Sequence, residues 1–480
     1  MKAVRLSALL VLSLLPIPIL CQTKQNADPY SLVFTHANVI DMTGAPVRRD
    51  VTVVITGDRI AAIGSERELK IPNNSEVVDA RGKFLIPGLW DMHVHTLTKE
   101  MFFPLYLANG VTGVRDMYNP LAKFDDWRRE IDEGKILGPR LVASQTLVDG
   151  PKPVWPLSIA VSNEAQGREA VLSLKKRGAD FIKVYSLLPR DAYFAIADEA
   201  KKQGIPFAGH VPVAVSALEA SDAGQKSIEH LTGVLLASSA REDELRAAAL
   251  RALADGRSLL IESFFKSEVE ALKSFDEKKA RTLFARFARN GTWHVPTLTV
   301  LNAFWTFDDP TTLNDPRLKY IPPFIRLALG WDPKRAFGFK IRTAADVAEG
   351  KRLFRRQLEL VGAMHRAGVR VMAGTDTPNP FVFPGFSLHD ELALLVRAGL
   401  TPLEALQSAT RNPAEYLNRL DSFGTLEKGK VADLVLLEAD PLADISNTKR
   451  IAAVVRSGKL LTKAQLQEML ATVEAAAGRR

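Results

Sequence analysis

Between residues 88 and 376 the chain repeats one alternation, a short apolar strand pattern followed by a helical pattern. The strand patterns are 88–95 (GLWDMHVH), 111–117 (VTGVRDM), 140–145 (RLVASQ), 180–186 (DFIKVYS), 206–211 (PFAGHV), 226–231 (KSIEHL), 292–300 (TWHVPTLTV) and 369–376 (VRVMAGTD). Helical patterns such as EAVLSLKKRGA and DAYFAIADEAKKQG separate them. Strands joined through helices pair in parallel, and eight such units are the arithmetic of a (β/α)8 TIM barrel. The expected class is therefore α/β, with the barrel over residues 86–424. Two stretches, 235–290 and 302–366, are long, helical and rich in Ala, Arg and Leu, and read as insertions beyond the sixth and seventh strands.

Short β runs bounded by turn residues flank the barrel on both sides. SLVFTHANVID, DVTVVITGDRIAAIG and SEVVDARGKFLIPG precede it; GKVADLVLL and VVRSGKLL follow it. They predict a small β-sandwich made from both chain ends, residues 28–85 plus 425–465, with a C-terminal helix or tail at 466–480. At the N-terminus, Lys2 and Arg5 precede an apolar segment broken by Pro16 and Pro18, too short to span a bilayer. Residues 1–21 are expected to be a signal peptide, which implies a periplasmic or secreted protein without stable membrane insertion.

Cys21 is the only cysteine, and the bulky Leu20 before it is a poor lipoprotein cleavage context, so cleavage just after Cys21 is expected. A metal site in the mature chain would then draw on His, Asp, Glu or a modified Lys, a donor set for hard and borderline cations, zinc foremost. The 63 basic and 55 acidic residues are scattered with no basic block, which argues against a nucleic-acid partner. No glycine-rich phosphate loop follows a strand pattern, which sets P-loop and dinucleotide folds aside. A homo-oligomer is compatible with the composition.

Reactive side chains of such a barrel belong at the C-terminal ends of its strands, where alternate residues share a face. His93 and His95 close the first strand on one face. His210 ends the fifth, His230 the sixth and Asp376 the eighth. Any one of these has an ordinary structural explanation; together they form a cluster at one mouth. Lys183 lies inside the apolar fourth strand, where an unpaired ammonium is expensive to bury. A salt bridge is the ordinary solution, but imidazoles and bound cations make poor hosts for an ammonium. Carbamylation by carbon dioxide would convert it into a carboxylate.

This constellation resembles the amidohydrolase superfamily, specifically its binuclear members with a carboxylated lysine. FLIPGLWDMHVH, TGVRDM, SIEH, AGTDT and GTLEKGKVADLVLL are similar to the branch holding imidazolonepropionase-like proteins and metal-dependent Xaa-Pro dipeptidases. The resemblance implies two divalent metal ions. His93 and His95, with Asp376, would hold the more buried ion and His210 and His230 the more exposed one, with carbamylated Lys183 bridging them. It further implies an amide hydrolase in which a metal-bridging hydroxide attacks the carbonyl, while Asp376 passes a proton to the leaving nitrogen. A dipeptide or N-acyl amino acid is the expected small-molecule substrate, and a cyclic amide or lactone is the alternative. A non-catalytic metal-binding protein fits less well, because all six ligand positions are filled. One departure stands out: many relatives carry a Gly-Gly-His element after the third strand, where this chain has VDGPKPVWP.

Two further residues are catalytic candidates. His294, on the seventh strand, is free to stabilise the substrate carbonyl or oxyanion, and Tyr185, two residues from Lys183 on the same face, could donate to the oxyanion. Arg115 and Asp116 end the second strand and are expected to support ligands. His389 is expected to be structural, and His36 and His365 incidental.

Overall fold

Parallel pairing carries the central part of the chain. In the computed structural model, which describes residues 31–69, 71–254, 260–306, 309–331 and 343–478, Leu89–Val94 pairs with Val111–Asp116, and that strand with Arg140–Ala143. A second parallel sheet orders Ile159–Ala160, Leu147–Asp149, Ile182–Val184, Phe207–Gly209, Ser227–Glu229 and Trp293–Val295. Single bridges tie residues 371 and 377 to either side, His294 to Val371 and Val94 to Thr377. The Asp180 amide donates to the Ala143 carbonyl at 2.9 Å, joining the two sheets on the other flank. With helices between the strands, this is a TIM-barrel-like α/β fold. The segment 1–21 expected to be a signal peptide, Cys21 included, lies outside the described residues.

The strands are shorter than the apolar runs that announced them. The run 292–300 stops at Val295 because Pro296 has no amide to donate, and a helix, Leu298–Thr306, begins directly after it. Glu391 caps that helix, accepting from the amides of Leu298 at 2.9 Å and Thr299 at 2.8 Å. The first insertion forms the helices Glu242–Ala254, Leu260–Lys273 and Glu277–Asn290. Among the described residues, no helix is long and apolar enough to cross a membrane.

The two chain ends meet in one eight-stranded sheet. Its path runs Lys459–Thr462, Ile451–Arg456, Leu434–Leu437, Phe84–Pro87, Ser31–Val39, Arg48–Thr56 and Arg59–Gly64, with Glu76–Asp79 paired alongside Ser31–Val39. Where two stacked sheets were expected, hydrogen bonding makes a single one, because Phe84–Pro87 pairs on both flanks, with Ser31–Val39 and with Leu434–Leu437. Leu32, Phe34, Leu85, Leu434 and Val455 are buried in one cluster that draws on both ends. The C-terminal helix, Lys463–Gly478, begins three residues before the expected 466 and buries Leu466 and Val473.

Candidate active site

The strand Leu89–Val94 delivers His93, and His95 follows it on the same face. The two rings lie 5.4 Å apart, centroid to centroid. His230 sits just past Ser227–Glu229 with its ring 4.5 Å from that of His93, and His210, just past Phe207–Gly209, stands 4.8 Å from His230. Asp376 occupies a left-handed backbone conformation at φ 65° and turns its carboxylate into this group. Its Oδ1 is 2.9 Å from His95 Nε2 and 3.3 Å from His93 Nε2. One donor atom from each of His93, His95 and Asp376 falls within 4.8 Å of the others, close enough to share a metal ion.

All four imidazoles engage Nδ1 with a protein partner. His93 Nδ1 meets Glu229 Oε2 at 2.9 Å and His95 Nδ1 the Tyr118 carbonyl at 3.0 Å. His210 Nδ1 meets Ser186 Oγ at 2.8 Å and His230 Nδ1 meets Thr297 Oγ1 at 2.7 Å. A partner on one ring nitrogen fixes the tautomer and presents the other for coordination. In His95 the Tyr118 carbonyl must accept the Nδ1 proton, which leaves Nε2 facing Asp376 Oδ1 at 2.9 Å. Burial lowers the pKa of this imidazole, but the Asp376 carboxylate outweighs burial and raises it, so a proton at Nε2 bridges the pair; a divalent metal suits the same set of imidazoles and carboxylate.

Lys183, in the strand Ile182–Val184, is 1% exposed, and its Nζ has no hydrogen-bond partner among the described residues. Burial pushes its ammonium down to about 8, against the pull of Glu229 and Asp376. Burial likewise holds His230 down, at about 3, and His210 well below the usual imidazole range, so both are neutral donors near pH 7. Burial would raise the Asp376 carboxyl. The neighbouring imidazoles of His230, His93 and His95 outweigh it and hold the group well below the usual range.

Behind the cluster, Nη2 of Arg115 donates to both oxygens of Glu229 at 2.9 Å, so Arg115 acts on His93 through Glu229. Its remaining donors reach the Met92 carbonyl, Ser227 Oγ and Tyr416 Oη. Asp116 accepts from the amides of Thr96 and Tyr118, fixing the backbone beside His95. Glu229 escaped the reading of the sequence, although it lies in SIEH two residues after Ser227, on the face that the strand's alternation turns toward His93.

A cavity of about 740 Å³ opens over these residues and is lined by His93, His95, Lys183, Tyr185, His210, His230 and Asp376. The VDGPKPVWP segment contributes Trp155, whose indole donates to the Tyr185 hydroxyl at 2.8 Å and leaves the phenolic proton for a ligand. His294 is placed differently from its expected catalytic position. Strand alternation puts Trp293 and Val295 in the cluster with Trp90 and Met92 and turns His294 the other way, fully buried with its ring 4.7 Å from Phe287. It does not line the cavity. His389 bonds to Thr448 Oγ1 and the Asn109 carbonyl, His36 pairs with Asp50, and His365 pairs with Glu404.

A TIM-barrel-like fold with imidazoles, a buried lysine and an aspartate gathered at one cavity defines a barrel hydrolase. The chain belongs to the amidohydrolase family, which it matches over residues 84–461, and it is a hydrolase acting on carbon–nitrogen bonds. It is 26% identical to an ochratoxinase of Aspergillus niger over 87% of this chain and 84% of that one. Two solved structures share the fold: a bottromycin amidohydrolase (TM-score 0.74, 24% identity, 94% and 91% of the two chains) and a putative prolidase from Bifidobacterium longum (TM-score 0.65, 24% identity, 93% and 100%).

Proposed function

We propose that the protein cleaves the amide bond of a small molecule, a dipeptide or an N-acyl amino acid, with the help of two divalent ions, zinc foremost, and a carbamate on Lys183. One observation carries this reading: a lysine that is fully buried and without a hydrogen-bond partner among the described residues stands among four imidazoles and an aspartate. A bare ammonium has no favourable place there, whereas a carbamate supplies the second carboxylate that a metal pair needs. His93, His95 and Asp376 would hold one ion and His210 and His230 the other, with Lys183 between them. When bound, such ions acidify water and polarise a carbonyl.

The chain's own groups supply the rest. Asp376, hydrogen-bonded to two imidazoles, accepts a proton at its carboxylate and passes it to the departing nitrogen. Tyr185 keeps its proton, since burial raises its pKa, and donates from the hydroxyl to the oxygen that gains charge. Walls formed by Leu97, Trp155, Val300 and Phe304 exclude water and receive apolar side groups of the substrate.

The test is a library of dipeptides and N-acyl amino acids incubated with zinc-reconstituted protein in bicarbonate, read by release of free amino acid. Metal analysis accompanies it, with about two equivalents per chain expected. Protein that binds no divalent metal under these conditions rules the reading out.

A further inference from the structure

The helix Leu260–Lys273 belongs to the insertion that follows the sixth strand and forms part of the cavity wall. Glu268 on this helix lines the cavity, is 2% exposed, and has no hydrogen bond or ion pair with any described residue. The same cavity is lined by apolar side chains, Leu236, Ala249, Leu301 and Phe304 among them. Arg246 lines the same cavity, but its guanidinium is committed: Nη1 donates to the carbonyls of Val213 at 3.1 Å and Val215 at 2.6 Å, and Nη2 to Glu242 at 2.6 Å. Burial alone acts on the Glu268 carboxyl, pushing it up to about 8.

An unpartnered carboxylate in an apolar wall is costly, and the cost is removed by a partner of opposite charge. The protein supplies none among its described residues, while the same cavity opens to ligands. We propose that Glu268 is the counter-ion for a cationic group, an ammonium or guanidinium, on the substrate. This rests on the amide-hydrolase reading only in calling the ligand a substrate. Glu268 and the imidazole and aspartate cluster line the same cavity, so one ligand can present its cation to the first and its carbonyl to the second. An ammonium on a carboxylate is a charge-assisted hydrogen bond, stronger than any contact a neutral isostere makes with the same wall.

The experiment compares N-acetyl-lysine amide with N-acetyl-norleucine amide, which lacks only the charged terminus. Binding to zinc-loaded protein is measured by calorimetry and turnover is recorded separately. The lysine compound is expected to bind at least about tenfold tighter, the yield of one hydrogen bond to a charged group. Glu268→Gln should abolish that preference while leaving norleucine-compound affinity unchanged, which also shows that the variant is folded. Glu268→Asp should keep part of the preference. Equal binding of the two compounds to the unmodified protein overturns the proposal, as does a preference that survives in Glu268→Gln. If the preference holds but neither compound is hydrolysed, the cation site stands and the choice of scissile bond is what fails.

Discussion

Arg115 and Glu229 lie 114 residues apart in sequence, yet Arg115 Nη2 sits 2.9 Å from both Glu229 oxygens with neither side chain exposed. Glu229 in turn holds His93 Nδ1 at 2.9 Å, so the orientation of a proposed metal ligand depends on a charge pair one shell further from the cavity. Arg115→Met leaves the Glu229 charge buried and without its cation, a change that costs about 3–5 kcal/mol. Urea unfolding should show that loss. Arg115→Lys should recover little of it, because one ammonium cannot also reach Met92, Ser227 and Tyr416. Unfolding midpoints unchanged in Arg115→Met would show that the pair carries no stability.

Lys183→Met removes the buried ammonium while keeping most of the side-chain volume. In the metal-free protein it should stabilise the fold by about 1–3 kcal/mol, the cost of a buried donor left unsatisfied. In metal-loaded protein it should lower the bound metal from about two equivalents to about one and suppress turnover. Full metal content together with full activity in this variant would remove Lys183 from the site and favour a mononuclear centre.

Glu268 also predicts a pH dependence of stability. Its carboxyl is raised from the ordinary 4.5 to about 8 by burial, so the folded chain retains a proton that the unfolded chain releases. Stability from this group is complete below pH 4.5 and is lost as pH rises toward about 8. The slope is at most about 1.4 kcal/mol per pH unit. Urea midpoints collected across that window should fall less steeply for Glu268→Gln than for the unmodified protein. Parallel curves would place the carboxyl at its ordinary value.

Gly209, directly before His210, has φ +136°, and a Cβ there would lie 2.2 Å from the Val184 carbonyl and 3.0 Å from Lys183 Cδ. Gly209→Ala must therefore shift the strand that carries Lys183. A stability loss of about 1–3 kcal/mol is expected in thermal unfolding. Weaker metal retention in chelator competition should accompany it, since His210, the next residue, and Lys183, which the Cβ would meet, are both proposed ligands. Unaltered retention would separate the strand's packing from the site's geometry.

How much of this was legible in the sequence depended on whether a residue acts locally or across the fold. His93, His95, His210, His230 and Asp376 could be read because each sits at the end of an apolar run, and barrel geometry brings such ends together. Lys183 could be read because an ammonium inside an apolar strand is conspicuous. His294 could not be placed, since one-residue parity decides whether a strand side chain faces the cavity or the helices, and its run ended earlier than its apolar residues suggested. Glu229 and Glu268 were missed for opposite reasons. The first takes its meaning from Arg115, far away in sequence; the second from having no partner, which only the packed insertion reveals. The end sheet was visible as β runs at both termini, but its single continuous form depends on Phe84–Pro87 pairing on two flanks.

That pairing has a consequence for the order in which the molecule can be made. Leu85 lies opposite Leu436, so a strand finished early in synthesis waits for a partner delivered some 350 residues later. Until then Phe84–Pro87 is an apolar edge just before the strand that carries His93, the kind of edge that recruits other chains. Nascent chains cut short before Leu434 should accumulate as aggregates rather than as barrels lacking a tail, so a strand made late in synthesis decides whether one made early finds its place.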